Sequence, residues 1–104
     1  MSQAIETLTA QVEFTGPGSI TIPIDSNHSA SVVFADISVP ALRSIQIEIG
    51  SKKVVDGWFD HTYEQVRFGQ GDGSGVWGDD IVITSNGAAK IKLNYKTYSK
   101  IADC

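Results

Sequence analysis

Cysteine is almost absent from this chain: the 104 residues contain one, Cys104, at the last position. A single thiol cannot form an intramolecular disulfide, and it cannot supply the several thiolates of a structural zinc site. Histidine is nearly as scarce, with only His28 and His61. Because histidine is the usual base at neutral pH, few arrangements for acid–base catalysis remain.

Basic residues are few as well. Eight Lys and Arg stand against twelve Asp and Glu, which gives a formal net charge of −4. Nucleic-acid binding needs clustered positive charge against the phosphates, so we expect no nucleic-acid partner.

No segment approaches the roughly 18 apolar residues of a membrane helix, so we expect no membrane insertion. The opening MSQAIETLTA has no basic region followed by an apolar run, so we expect no signal peptide and synthesis in the cytoplasm; later release or association with a virion is left open.

Helical periodicity is also missing, and alternation of apolar and polar residues takes its place. In AKIKLNYKTY (89–98), Ile91, Leu93 and Tyr95 share one face, and this pattern is typical of a half-buried strand. Further strand-like segments lie at 10–15, 19–24, 30–39, 43–49, 53–59, 63–69 and 80–85.

Seven or eight short strands separated by turns predict an all-β fold. We predict one domain over residues 1–104, an antiparallel β-sandwich of jelly-roll-like or immunoglobulin-like type, with a small β-barrel as the alternative. The dipeptide Asn86-Gly87, between two alternating segments, predicts a β-hairpin. Lys90, Lys92 and Lys96 lie on the polar face of the last strand, which is typical of lysines that protect an edge strand from aggregation.

The segment FGQGDGSGVWGDD (68–80) interrupts the alternation with five glycines. Calcium prefers carboxylate and carbonyl oxygens, and this loop offers Asp72, Asp79 and Asp80. The loop is similar to the acidic calcium loop before the last strands of some bacterial sugar lectins, although it lacks most of their acids. The resemblance implies Ca²⁺ as a cofactor at these three aspartates; without it we expect no cofactor.

Two clusters combine aromatic and polar side chains. One surrounds Trp77, Asp79 and Asp80, and the other is DGWFDHTY (56–63), with Trp58, Asp60, His61 and Tyr63. Sugar sites pair an aromatic ring with polar groups that take the hydroxyls. If loops 56–63 and 69–80 meet at one end of the sandwich, they line a single cleft for a glycan or similar polar ligand.

The sequence predicts a protein that binds rather than catalyses. Asp60 and His61 are neighbours, and neighbouring residues of a strand point to opposite faces, so we expect no Asp–His dyad. No nucleophile elbow, phosphate loop or zinc spacing is present.

Two functions from different classes are the main candidates, and a small toxin or inhibitor that acts by surface contact is a third. The first is lectin-like recognition of a carbohydrate, with homo-oligomers raising weak affinity through avidity. The alternative is a structural assembly protein, such as a viral capsid accessory, decoration or fibre component, in which Trp77, the N-terminal MSQAIETL and the lysine strand are buried between subunits.

Overall fold

The computed structural model describes residues 3–67 and 77–101. These residues form eight β-strands, one for each strand-like segment of the sequence. The strands are β1 (Gln3–Thr15), β2 (Gly18–Ile22), β3 (His28–Ser38), β4 (Arg43–Ile49), β5 (Lys52–Phe59), β6 (Tyr63–Arg67), β7 (Ile81–Ser85) and β8 (Lys90–Ile101).

The strands form two antiparallel sheets that pack face to face. The first sheet has the order β1-β8-β3-β6 and the second has the order β2-β7-β4-β5. In the pairing, β1 lies beside β8, β2 beside β7, β3 beside β6 and β4 beside β5. This nested order is that of a long hairpin rolled into two layers, so the predicted β-sandwich is confirmed and its topology is the jelly roll.

Aliphatic side chains from both sheets fill the space between the layers. The largest side chains that are fully buried are seven isoleucines and one leucine: Ile37, Ile45, Ile47, Ile49, Ile81, Ile83, Ile91 and Leu93. Each set recurs at every second position of its strand, because successive side chains of a strand point to opposite faces. The alternation in the sequence therefore marks which side chains face the core and which face outward.

The Asn86-Gly87 turn does not close a β-hairpin. It joins β7 of the second sheet to β8 of the first, so these strands pack in different layers and do not pair. The turn is tied to β4: Asn86 N donates to Ser44 O at 3.2 Å, and Ser44 N donates to Asn86 Oδ1 at 3.0 Å. The prediction of a hairpin was wrong because a tight turn can connect layers as well as neighbours.

The lysine-bearing strand is also placed differently from the prediction. β8 lies between β1 and β3, so it is an inner strand of the first sheet and not an edge. Its lysines therefore do not protect an open edge, and their outward row is flanked by side chains of two neighbouring strands. Among the described residues, no helix has the length and apolar character needed to cross a membrane.

A close backbone contact after β1 yields a test of this packing. A Cβ added to Gly16 would lie 2.6 Å from Gly87 O and 3.0 Å from Ser85 Cβ. We expect Gly16→Ala to destabilise the fold by about 1–3 kcal/mol, because backbone must shift to admit the methyl group. Chemical denaturation measures the free energy of unfolding.

The matched control is Gly57→Ala, where an added Cβ would meet nothing within 4 Å. We expect that variant to be neutral or more stable by about 0.5 kcal/mol, since alanine loses less backbone entropy on folding. Equal stability of the two variants would contradict the packing of Gly16 against the β7–β8 turn.

Candidate functional site

Segment 56–63, predicted as a loop, consists of the end of β5, a short connection at 60–62 and the start of β6, and it joins edge strands of the two sheets. β5 is an edge strand of the second sheet and β6 is an edge strand of the first. The connection between them therefore crosses from one layer to the other along one side of the sandwich. Trp58 pairs with Ser44 of β4 and lies on the outward face of β5, where it is 62% exposed. Its neighbour Phe59 points inward and packs against the core. Trp58 is therefore a large aromatic surface held by a sheet rather than by a loop.

The residues after Trp58 form a hydrogen-bonded cluster. One carboxylate oxygen of Asp60, Oδ1, lies 2.6 Å from His61 Nδ1 and accepts a hydrogen bond from Tyr63 Oη at 3.0 Å. The His61 and Tyr63 rings are stacked with their centroids 4.1 Å apart, and Tyr63 meets Phe59 edge-on at 5.0 Å. These four contacts order the connection between β5 and β6, while the His61 side chain remains 66% exposed.

The expectation that Asp60 and His61 cannot interact was wrong. It assumed strand geometry, but residues 60–62 lie between β5 and β6, where side chains do not alternate. An ionised carboxylate can only accept hydrogen bonds, so His61 Nδ1 carries the proton in this contact. In the neutral ring, Nε2 is then left as an acceptor for a ligand.

Two pKa values in this cluster depart from their ordinary values. The hydrogen bond from Tyr63 holds the pKa of the Asp60 carboxyl below 3.8, and the hydrogen bond from His61 acts in the same direction. Partial burial raises the pKa of the Tyr63 phenol above 10.0, and its hydrogen bond to Asp60 raises it further. The cluster is therefore held together by an ionised Asp60 and a protonated Tyr63 over a wide pH range.

Trp77 lies at the opposite end of the sandwich. Beside it, Gly78 N donates to His28 O at 2.8 Å, and Gly50 N donates to Asp80 O at 3.0 Å. Gly50 precedes β5, whereas Trp58 is near the end of that strand. At about 3.3 Å per residue, the rise from Lys52 to Trp58 alone is about 20 Å. The two tryptophans are therefore not brought together, and residues 68–76 of the second loop lie outside the described residues.

The acidic residues near Trp77 make structural contacts. Asp80 Oδ1 accepts a hydrogen bond from Ile24 N at 2.8 Å, which ties the loop after β2 to the start of β7. The Asp79 carboxylate packs against Gly50, where a Cβ would lie 2.7 Å from it. Asp72, the third predicted calcium ligand, lies outside the described residues. Within residues 3–67 and 77–101, no group of three or more His, Cys, Asp or Glu side chains is arranged to hold a metal ion.

A second candidate site, which is concave and was not predicted from the sequence, lies on the outer face of the first sheet. It is a groove of about 340 Å³ between β3, β6 and β8. Its charged lining consists of Asp36, Glu64, Lys90 and Lys92, and its remaining lining residues are Ile37, Ser38, Thr62 and Gln65. The only trace of it in the sequence is the row of outward lysines, because the pairing of β8 with β3 cannot be read from local pattern.

A β-bulge forms one wall of this groove. Ala35 pairs with Val66 and Ile37 pairs with Tyr63, so two residues of β6, Glu64 and Gln65, stand opposite one residue of β3. Gln65 takes a left-handed backbone conformation with φ of 50°, and its N–H donates to Asp36 Oδ1 at 2.8 Å. Bulges redirect side chains and are frequent beside binding sites, and a non-glycine residue in this conformation is strained.

Comparisons of the chain with protein-family models, with curated proteins and with solved structures gave no match. The case for a function therefore depends on the two sites described above.

The Asp60 cluster makes a testable prediction about proton binding. Asp60→Asn removes the negative charge that opposes ionisation of Tyr63, so we expect the pKa of Tyr63 to fall toward 10.0. Because the folded pKa is raised, the stabilising contribution of Tyr63 is fully present below pH 10.0 and is lost as pH rises through the folded value. Ultraviolet titration measures tyrosinate, and the difference from Tyr63→Phe isolates this residue from Tyr95 and Tyr98.

Asp56→Asn is the matched control, because Asp56 lies nearby on β5 and instead contacts Gln46 and Lys53. We expect it to leave the titration of Tyr63 unchanged. A Tyr63 curve that is the same in wild type and Asp60→Asn would show that the hydrogen bond does not form in solution.

Proposed function

We propose that this domain is a non-catalytic binding module that recognises a carbohydrate or a similar polar ligand, with Trp58 as its stacking platform. The observation that carries the proposal is the 62% exposure of Trp58 on the outward face of a sheet strand. An indole left in water at this position has no role in the core. A sugar ring presents apolar C–H groups to such a surface, and stacking removes both from water.

The surface around Trp58 supports this chemistry. Ser44 lies directly across from it, and in the next row Gln46 Nε2 donates to Asp56 Oδ1 at 3.2 Å. Further along the same face, the hydroxyls of Ser19 and Thr84 are 2.8 Å apart. This open face therefore combines an aromatic ring with amide, carboxylate and hydroxyl groups, which are the partners that sugar hydroxyls require.

The ordered loop beyond Trp58 extends the proposed site. His61 and Tyr63 are stacked, and Asp60 fixes both through one carboxylate oxygen. Because these side chains are already ordered, a ligand loses little affinity in immobilising them. We propose that the loop contacts the part of the ligand that reaches past the sheet edge, and that homo-oligomers raise the affinity of weak single sites through avidity.

A glycan array with wild-type protein and Trp58→Ala tests the proposal. We expect saturable binding by wild type and a loss of about tenfold or more in the variant, since truncation of a stacking aromatic removes most of its contact area. Trp77→Ala is the matched control at the opposite end of the sandwich. Arms with calcium and with chelator test whether the loop containing Asp72 adds a metal requirement.

Unfolding temperatures are measured in parallel for both variants. We expect Trp58→Ala to melt within a few degrees of wild type, because the ring makes little contact with the core. Equal binding by wild type and Trp58→Ala, or no binding to any glycan, contradicts the proposed function.

One observation favours the assembly function as a second candidate. Leu42, which is 56% exposed, lies two residues before Ser44, so it and Trp58 are exposed at the same end of the second sheet. Exposed aliphatic and aromatic side chains beside an edge strand can be buried by a second copy of the chain. Light scattering across concentration tests this. We expect a defined oligomer that Leu42→Ser converts to monomer if the chain assembles through this end.

A further inference from the structure

The groove on the outer face of the first sheet is independent of Trp58, which lies on the outer face of the other sheet. We infer that this groove is a binding site for a compact monoanion rich in hydroxyl groups, namely a sugar acid. Its volume, about 340 Å³, lies at the lower end of the range for small-molecule sites, which is about 300–1,000 Å³.

Two ammonium groups on one strand supply the anion-binding part. Lys90 and Lys92 are two positions apart on β8, so their side chains leave the same face. Their Nζ atoms lie 3.8 and 4.0 Å from the two carboxylate oxygens of Glu13 on β1. These separations are too long for hydrogen bonds. Within the part of the chain that the structure describes, neither ammonium group donates a hydrogen bond, so both have donors to offer to an anionic group.

The opposite wall of the groove supplies acceptors. Glu64 makes no hydrogen bond or ion pair among the described residues, and the bulge at Gln65 holds it beside the groove. Ser38 and Thr62 place their hydroxyl oxygens 3.2 Å apart at one end. Two hydroxyl oxygens and an unpaired carboxylate are suited to accept hydrogen bonds from ligand hydroxyl groups.

The balance of charge sets the class of ligand. The lining holds two positive charges, on Lys90 and Lys92, and two negative charges, on Asp36 and Glu64, while Glu13 forms ion pairs with both lysines from outside the lining. A multiply charged anion such as phosphate would meet repulsion from these carboxylates. A single carboxylate on the ligand can instead bind at the lysines while its hydroxyl groups face Glu64.

The backbone geometry supports a binding role for this wall. Gln65 is the non-glycine residue with positive φ in the described chain, and its strained conformation is fixed by the hydrogen bond to Asp36 Oδ1. The same bond leaves Asp36 partly satisfied, so Glu64 is the carboxylate that a ligand would meet. This hydrogen bond thus stabilises the two-against-one register in which Glu64 lines the same groove as the lysines.

Nuclear magnetic resonance titration of isotope-labelled protein with sodium D-glucuronate tests the inference. We expect saturable shifts of the backbone amides of Asp36, Gln65, Lys90 and Lys92, with a dissociation constant of about millimolar size. D-glucose, which keeps the hydroxyls and lacks the carboxylate, and L-serine, which has the carboxylate without a ring of hydroxyls, should each bind about tenfold or more weakly.

Lys92→Gln and Glu64→Gln complete the experiment. We expect each to weaken glucuronate binding about fivefold to tenfold, because each removes one charge-assisted hydrogen bond. Lys96→Gln is the matched control, since Lys96 is on the same strand and does not line the groove. These changes are on the surface, so we expect each variant to fold. The amide spectrum shows directly whether it does.

Three results would overturn the inference: shifts that do not saturate and spread over all lysines, equal affinity for glucose or serine, or unchanged affinity in Lys92→Gln. Each of these leaves the proposed function of Trp58 untouched, because the Trp58→Ala experiment measures a different face of the sandwich.

Discussion

Aliphatic side chains from both sheets meet between the layers, and their burial decides which way every other side chain faces. Ile47 and Ile49 of β4 pair with Ile83 and Ile81 of β7, and Ile45 pairs with Ser85; all five isoleucines are at most 1% exposed. A shift of one residue in any of these strands would expose a row of isoleucines to water. The free-energy cost would be about 25 cal/mol for each Å² of apolar surface exposed. The register is therefore fixed, and with it the outward position of residues at the alternate sites.

This burial explains why the fold could be predicted from the sequence and the site only in part. The eight strands and the sandwich follow from alternation, which is a local property of each segment. The Asn86-Gly87 turn could not be interpreted correctly, because a tight turn has the same sequence whether it joins paired strands or strands of different layers. Similarly, Lys92 is outward-facing by alternation, but its position on an inner strand depends on β1 and β3, which are distant in sequence.

Strand pairing between distant segments also separates residues that have similar neighbours in the sequence. Trp58 and Trp77 occur in similar aromatic and acidic surroundings, yet nested pairing sends the two ends of β5 to opposite ends of the sandwich. Asp60 and His61 show the converse. They are neighbours in sequence that alternation assigns to opposite faces, and the turn between the sheets brings them to 2.6 Å. Alternation is reliable inside strands and loses its meaning where a strand ends.

The two outer faces of the sandwich have different chemistry because their strands are joined differently. On the second sheet, β4 and β5 present Trp58 beside neutral and singly charged polar groups, which suits a flat ligand bound by stacking. On the first sheet, the bulge sets Glu64 and Gln65 of β6 against Asp36 of β3, and these three residues line a groove with Lys90 and Lys92 of β8. A regular pairing of β6 with β3 would place Glu64 and Gln65 on opposite faces. The extra residue thus lets both side chains line the groove beside the lysines.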